Sequence, residues 1–224
     1  MTLLIIRHAE SVENAAKYTG FYQDPRPYSG AAAHGISHDL VGLTPRGFRQ
    51  AQWLGDVLPA LAGHQPHVYT STYRRAIDTA LIALPDLPAE WPQQTALLDE
   101  QHYGDATYMT KRELYDMYPD LAEDRRQRKH LWTAPGKGES LAEGVSKRVA
   151  AFAAQAQEEL RSPCTIIAFT HQTAAVALRS LLEGRTLPDV LAEEKKGKMP
   201  NAAILHYELR HGRFLRTETT IPPI

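Results

Sequence analysis

The N-terminal stretch Leu3-Leu4-Ile5-Ile6-Arg7-His8-Ala9-Glu10 decides how the chain begins to fold. Four apolar residues typical of a buried strand are followed at once by Arg7 and His8, which do not belong in a hydrophobic core. Successive side chains of a strand point to opposite faces, so the chain must leave strand geometry at His8 for both residues to serve one pocket. Since ligands of α/β proteins bind at the carboxyl ends of sheet strands, this junction is predicted to be the edge of a site.

Strand-like and helix-like segments alternate along the chain. Strands are predicted at 2–6, 67–71 and 165–169, and a closing hairpin at 201–209 and 214–219. Thr44 and Pro45 open a helix as N-cap and first helical residue. Its buried face is predicted to contain Phe48, Ala51, Leu54, Leu58 and Leu61. The fold class is therefore α/β, with a mostly parallel sheet and helices on both faces.

Capping-box patterns at Thr110–Glu113 and Ser140–Glu143 predict two further helix starts. The second helix has a long apolar stripe of Leu141, Val145, Val149, Phe152, Ala156 and Leu160. Residues 15–42 have no convincing period and are predicted to form a long loop. The loop starts just after the Arg7–His8 junction, from where it could reach over the site.

Length and composition limit the function classes. The 224 residues suffice for one domain, taken as 1–224, and a net charge of −1 argues against a general nucleic-acid surface. The single cysteine, Cys164, excludes an internal disulfide and a Cys-rich zinc site. No apolar stretch reaches membrane-span length, and no secretory leader is recognisable, so we expect a cytoplasmic protein. His34 and His38 lack a third nearby ligand, and neither a metal nor a cofactor is expected.

Five residues form a candidate catalytic set. His8 and His171 each follow an apolar strand, Arg75 lies in the first turn of the helix after the second strand, and Glu100 follows the Leu97–Leu98 pair. With Arg7, they would surround an anion pocket at one sheet edge. Arginines suit a phosphoryl group and stay charged, an imidazole can attack phosphorus, and a glutamic acid can protonate the leaving oxygen. Asp99 and Asp105 are nearby carboxylates that could replace Glu100.

In these motifs the chain resembles the histidine phosphatase superfamily, which includes the cofactor-dependent phosphoglycerate mutases. The signature Arg-His-Gly/Ala-Glu is matched by residues 7–10, with Asn14 at the position of a phosphate-contacting Asn. Residues 71–80 are similar to the stretch that holds the second arginine, here Arg75. Residues 98–104 are similar to the run around the acid/base Glu, and Gly138-Glu139-Ser140 matches a helix start. The second histidine falls on His171.

The resemblance implies a three-layer sandwich of the phosphoglycerate mutase type, and it implies roles for the residues. His8 would become phosphorylated, Arg7, Arg75 and His171 would hold the phosphoryl group, and Glu100 would donate the proton. Three departures stand out. Gln172 replaces the usual Gly and would line the substrate pocket. The stretch after Asn14 is longer, and its Thr19-Gly20 resembles a substrate-contacting turn of the mutases. The segment between Glu100 and Ser140 is shorter than in the mutases.

The sequence thus favours a metal-independent phosphatase acting on a small phosphorylated metabolite through a phosphohistidine. A phosphomutase of the phosphoglycerate mutase type is the nearest alternative, supported by Thr19-Gly20 and the His-Tyr-Gly run and disfavoured by the short segment. A non-catalytic module that binds a phosphorylated ligand is the second alternative. The closing hairpin offers an edge strand for a homodimer. The substrate itself is left open.

Overall fold

A six-stranded sheet forms the centre of the fold. The computed structural model describes residues 1–18, 35–63, 66–88 and 92–223. The strand order is β3-β2-β4-β1-β5-β6. The first four strands in this order run parallel to one another. β5 runs antiparallel to its two neighbours, β1 and β6. The strands are β1 Thr2–Arg7, β2 His67–Thr70, β3 Gln93–Gln94, β4 Thr165–Thr170, β5 Ile204–Arg210 and β6 Arg213–Thr220.

Helices connect and cover the strands. They are α1 Val12–Tyr18, α2 Pro45–Ala62, α3 Arg74–Ala83, α4 Lys111–Met117, α5 Pro119–Gln127, α6 Ser146–Glu159, α7 Gln172–Leu182 and α8 Leu187–Lys196. Short 3-10 turns lie at His38–Leu40, Ala96–Leu98 and Gly104–Ala106, and a π turn at Leu141–Val145 precedes α6. In the described part of the chain, no helix combines the length and apolar character needed to cross a bilayer.

The two faces of the sheet carry separate cores, which confirms the predicted α/β architecture. Leu4, Ile6 and Ile167 pack against α2 and α3 on one face. Leu3, Ile5 and Ile166 pack against α6, α7 and α8 on the other. Alternate residues of β1 and β4 therefore enter opposite cores, as the period of a strand requires. Both strands are buried on both faces, which explains their continuous apolar sequences.

Most predicted elements form, with corrections at their ends. The helix at residues 12–18 was missed, so the predicted loop at 15–42 overlaps α1 at its start and a 3-10 turn near its end. The hairpin begins at Ile204 rather than residue 201, because the preceding residues pack below the Arg7–His8 junction. Ser140 accepts a hydrogen bond from the Glu143 amide but opens a π turn before regular α-helix starts. The capping box at Thr110 and Glu113 is complete.

Phe48 was wrongly predicted to face the core. Its side chain is 48% exposed, and Gly47 occupies the buried position of that turn instead. A Cβ built on Gly47 would lie 2.0 Å from the carbonyl oxygen of Glu10. The α2 backbone can therefore approach the end of the first motif only through a residue without a side chain.

We predict that Gly47→Ala destabilises the fold. An alanine normally stabilises a helix by about 0.5–1 kcal/mol relative to glycine. Here the clash with the Glu10 backbone should reverse the sign and lower the free energy of unfolding by about 1–3 kcal/mol. Urea titration measures the change, with Gly197→Ala as control because a Cβ there meets nothing within 4 Å. Equal stability of Gly47→Ala and wild type would contradict the close approach.

Candidate active site

The register of the two central strands brings the two histidines together. Arg7 in β1 pairs with Thr170 in β4, so the next residues, His8 and His171, leave the sheet side by side. The His8 amide donates to the Thr170 carbonyl at 2.8 Å, and the two imidazole centroids are 5.0 Å apart. Both side chains are almost fully buried. The carboxyl edge of the sheet therefore holds a pair of adjacent imidazoles.

Hydrogen bonds select one tautomer of His8. Its Nδ1 lies 2.7 Å from the Ala9 carbonyl oxygen, which can only accept, so Nδ1 carries the proton. The Nε of Arg75 donates to His8 Nε2 at 3.2 Å, which requires a lone pair on Nε2. The arrangement fits a neutral imidazole that presents Nε2 as a nucleophilic atom.

Two arginines flank His8. Arg7 is the last residue of β1, and one of its guanidinium nitrogens donates to the Met199 carbonyl. Arg75 lies in the first turn of α3, donates to the His38 carbonyl at 2.7 Å and stacks over Tyr73, with its guanidinium carbon 4.8 Å from the ring centroid. Both arginines are less than one-tenth exposed. The site thus concentrates positive charge although the chain as a whole is nearly neutral.

Burial and these cations keep both imidazoles uncharged. Burial is the main cause that lowers the pKa of His8 far below its usual value, and the charges of Arg75 and Arg7 lower that pKa further. Burial also lowers the pKa of His171, with Arg75 and His8 as the next contributions. At neutral pH the free site therefore holds neutral histidines beside charged arginines.

A short relay orients His171. Its Nε2 lies 2.7 Å from the Ser71 hydroxyl, and that hydroxyl donates its single hydrogen to Asp99 at 2.7 Å. Ser71 must therefore accept from His171, which puts a proton on Nε2. The buried Nδ1 of His171 has no hydrogen-bond partner among the described residues. It can donate to an anion only after a second proton makes the ring an imidazolium.

The Glu100 side chain lies at the N-terminus of α7, the helix that begins directly after His171. Its carboxyl oxygen Oε1 accepts from the Thr173 amide at 3.1 Å and from the Gln101 amide at 2.9 Å. Asp99 instead binds Ser71 and Thr72. The two neighbouring carboxyl groups therefore have different surroundings, and that of Glu100 is the one fixed beside the His171 turn.

Asn14 is tied to the backbone under His8. Its amide oxygen accepts from the Ser11 amide at 3.2 Å and from Asn201 Nδ2 at 2.9 Å. The same Asn201 nitrogen donates to the His8 carbonyl at 2.9 Å. Because two donors bind its oxygen, the Asn14 side chain is oriented so that its nitrogen, Nδ2, is the atom that would donate to a bound acceptor.

Gln172 lies at the contact between α7 and α8. Its Nε2 donates to Glu194 on α8, so this side chain is directed to the α7–α8 contact rather than to the histidine pair. Thr19 and Gly20 lie outside the described residues. Glu10, the last residue of the first motif, accepts from the Thr44 hydroxyl at 2.7 Å and anchors the start of α2. Within the ranges that the structure describes, no group of three or more His, Cys, Asp or Glu side chains could hold a metal ion.

Sequence reasoning missed Ser71 and Asn201 as members of the site, and it considered Asp99 only as a replacement for Glu100, not as the acceptor for Ser71. Ser71 follows β2, and Asp99 follows the 3-10 turn at Ala96–Leu98. Their place at the same sheet edge is the sequence signal that could have identified their roles. Asn201 is separated from His8 by 193 positions, and nothing in its local sequence indicates that it holds the His8 carbonyl. Only the packing of the segment before β5 reveals it.

The arrangement fits transfer of an anionic group. A neutral imidazole with an available nitrogen lies beside two guanidinium groups, and a carboxyl group lies at the neighbouring helix start. Guanidinium groups fixed beforehand stabilise charge that develops on phosphoryl oxygens. The described residues therefore bring together side chains with the chemistry of a nucleophile, an anion clamp and a proton donor or acceptor.

Comparison with curated sequences finds 2,3-bisphosphoglycerate-dependent phosphoglycerate mutases. The protein of that name from Thermobifida fusca is 34% identical over 149 residues, which are 58% of this chain and 53% of the relative. The one from Nocardioides sp. is 25% identical over 247 residues and covers 97% of this chain and 93% of the relative. The first match thus spans about half the length of its relative, and the second nearly all of it.

Solved structures share the fold over almost the whole chain. A putative alpha-ribazole-5'-P phosphatase from Escherichia coli superposes with a TM-score of 0.74 at 23% identity, covering 97% of this chain and 94% of that one. A phosphoserine phosphatase from Entamoeba histolytica gives 0.69 at 19% identity, covering 97% and 95%. The family model of the histidine phosphatase superfamily (branch 1) matches residues 3–219. The chain therefore belongs to the histidine phosphatase superfamily.

Proposed function

We propose that this protein is a phosphatase that hydrolyses a small phosphorylated metabolite through a phosphohistidine on His8. The observation that carries the proposal is the His8 geometry: Nδ1–H is fixed on the Ala9 carbonyl, and the Nε2 lone pair faces Arg75. The structural relatives named as phosphatases support the same reading at the level of the fold. No metal is invoked, because Arg7 and Arg75 supply the positive charge that the reaction needs.

In the first half-reaction, His8 Nε2 forms a bond to phosphorus as the bond to the alcohol oxygen breaks. Arg75 exchanges its hydrogen bond to Nε2 for one to a phosphoryl oxygen, and this frees the lone pair for attack. Arg7, Arg75 and protonated His171 hold the equatorial oxygens, with the Asn14 amide beside them. The Glu100 carboxyl passes its proton to the departing oxygen, so that a neutral alcohol leaves.

In the second half-reaction, water replaces the alcohol. Glu100, now a carboxylate, takes a proton from the water while its oxygen bonds to phosphorus and the N–P bond breaks. Inorganic phosphate leaves, His8 regains the neutral Nδ1–H form, and Glu100 is again protonated. The Ala9 carbonyl binds the same Nδ1–H throughout and stabilises the positive charge on the phosphorylated ring.

A phosphomutase remains the second candidate, since the curated relatives carry that name and one of them covers nearly the whole chain. Both reactions share the first half-reaction and differ in the acceptor of the phosphoryl group. Following the interconversion of 2- and 3-phosphoglycerate alongside the release of free phosphate separates them. Release that outpaces interconversion supports the phosphatase, and the reverse supports the mutase.

We predict that His8→Ala lowers kcat by roughly 10³-fold or more, because the covalent route is lost. Labelled phosphoryl donor should leave acid-labile label on wild type and none on the variant, and a chelator should leave wild-type turnover unchanged. His102→Ala serves as control, since that imidazole is exposed and accepts a hydrogen bond from the Gly104 amide. Near-normal turnover of His8→Ala would rule out the proposed mechanism.

We predict that Glu100→Gln is most harmful with poor leaving groups. Glutamine retains hydrogen bonds to the Thr173 and Gln101 amides but has no proton to give. Turnover of an alkyl phosphate should fall by about 10²–10⁴-fold, and turnover of 4-nitrophenyl phosphate much less. Asp105→Asn is the matched control, because the Asp105 carboxylate accepts a hydrogen bond from the Tyr118 hydroxyl. A uniform loss over both substrates would assign the proton donor to another group.

We predict that anion binding is coupled to protonation of His171. Sulfate is a tetrahedral dianion that does not titrate between pH 6 and 8, whereas free His171 is neutral there because burial and Arg75 lower its pKa. Sulfate affinity should therefore fall as pH rises, by up to about tenfold per unit for one proton taken up. Calorimetry of wild type and His171→Gln tests this. A wild-type affinity independent of pH, or an equal slope in the variant, would contradict the assignment.

A further inference from the structure

A buried carboxylate on α8 is bound by three donors from different parts of the fold. Glu194 is less than one-tenth exposed, although the proposed mechanism uses no side chain of α8. Its Oε2 accepts from Gln172 Nε2 and from the Met199 amide, the latter at 3.1 Å. Its Oε1 accepts from Arg179 Nη1 on α7. This one carboxylate therefore joins two helices to the segment that follows α8.

The segment between α8 and β5 contacts the site directly. Met199 is buried in it, and the Met199 carbonyl accepts from the Arg7 guanidinium. Two residues later, Asn201 donates to the His8 carbonyl at 2.9 Å. The Met199 amide, on the other side of the same residue, is what Glu194 holds. A shift of Met199 would therefore move the acceptor that orients Arg7.

Gln172 fixes the Glu194 carboxylate from the opposite side. It is the first residue of α7 and directly follows His171. The buried Oε1 of Gln172 has no hydrogen-bond partner among the described residues, so the bond from Nε2 to Glu194 is what orients this side chain. The glycine that is usual at this place in the superfamily has no side chain for such a bond. Gln172 thus gives this chain an extra contact that holds Glu194.

Arg179 balances the charge of Glu194 inside the fold. It is nearly fully buried, and it also pairs with Glu193. Removing Glu194 therefore leaves Arg179 with a carboxylate partner. Among the described residues, the Glu193 carboxylate binds two arginines but neither Gln172 nor Met199. The two neighbouring acids share one cation, and they differ in that only Glu194 binds the segment that holds Arg7.

We propose that Glu194 is a positioning residue for the anion site. By holding the Met199 amide, it sets the carbonyl that orients the Arg7 guanidinium before the phosphoryl group binds. The inference rests on the proposed function, because it takes the Arg7–His8 pocket to be where that group binds. Glu194 acts through Met199 and Arg7 and does not contact the phosphoryl group. A guanidinium that is already oriented loses less freedom on binding an anion, so anion affinity depends on what anchors its acceptor.

Binding of tungstate, a tetrahedral dianion that mimics phosphate, tests the inference without requiring turnover. Glu194→Met keeps a similar volume and removes both acceptor oxygens, so calorimetry at pH 7.5 should show binding about tenfold or more weaker than in wild type. Glu194→Gln keeps one acceptor oxygen and is the milder variant should Glu194→Met fail to fold. We expect it to bind at least about threefold more weakly than wild type. Glu193→Met is the matched control and should bind within about twofold of wild type.

A double-mutant cycle separates positioning from a general loss of structure. Arg7→Ala removes the guanidinium through which Glu194 acts, so in that background each Glu194 variant should change tungstate binding by about twofold or less. Urea titration checks that every protein is folded under the conditions of the binding measurement. Wild-type affinity in a folded Glu194 variant, or the same loss in the Arg7→Ala background, overturns the inference.

Turnover of 4-nitrophenyl phosphate by wild type is measured in parallel and tests the proposed function alone. An Arg7-dependent loss of tungstate binding without wild-type turnover would support the role of Glu194 and refute the phosphatase. Turnover without that loss would refute the role of Glu194 and leave the phosphatase standing.

Discussion

The hydrogen bond from His8 Nδ1 to the Ala9 carbonyl is the interaction on which the candidate site depends. It fixes the proton on one ring nitrogen and leaves the other as a base and nucleophile. That bond forms because β1 ends at Arg7, so the chain turns and its own next carbonyl faces the ring. Asn201 donates to the His8 carbonyl, and the Ala202 amide donates to the Arg7 carbonyl at 3.0 Å. These two hydrogen bonds hold the turn in place. A chemical property of one side chain is thus set by backbone geometry.

The second constraint is electrostatic. Burial and the neighbouring guanidinium groups keep His8 and His171 neutral in the free site, because their pKa values lie far below the usual one. Arg7 and Arg75 remain charged without a bound anion, and backbone carbonyls of Met199 and His38 accept their hydrogen bonds. The same carbonyls orient the guanidinium groups before a ligand arrives, and such preorganisation is what stabilises a transferring phosphoryl group. In the proposed mechanism the arriving anion changes this balance and allows His171 to take up a proton.

The extent to which the sequence predicts this structure follows from the range of the interactions. The strand ends at His8 and His171, the N-cap at Thr44 and the apolar stripe of α6 depend on neighbours along the chain, and all were recognisable. Phe48 was wrongly placed because the contact of Gly47 with the Glu10 backbone is tertiary. The direction of Gln172 depends on Glu194 in the next helix, and the role of Asn201 on a contact across 193 positions. Local patterns carry no information on such contacts.

The most direct test of the central claim is the site of phosphorylation on the His8 ring. Wild-type protein is quenched during turnover, digested under alkaline conditions, and the phosphohistidine is identified by nitrogen–phosphorus coupling in NMR against both synthetic isomers. The tautomer fixed by Ala9 predicts phosphate on Nε2 of His8 alone. Phosphate on Nδ1, or on a residue other than His8, would contradict the account.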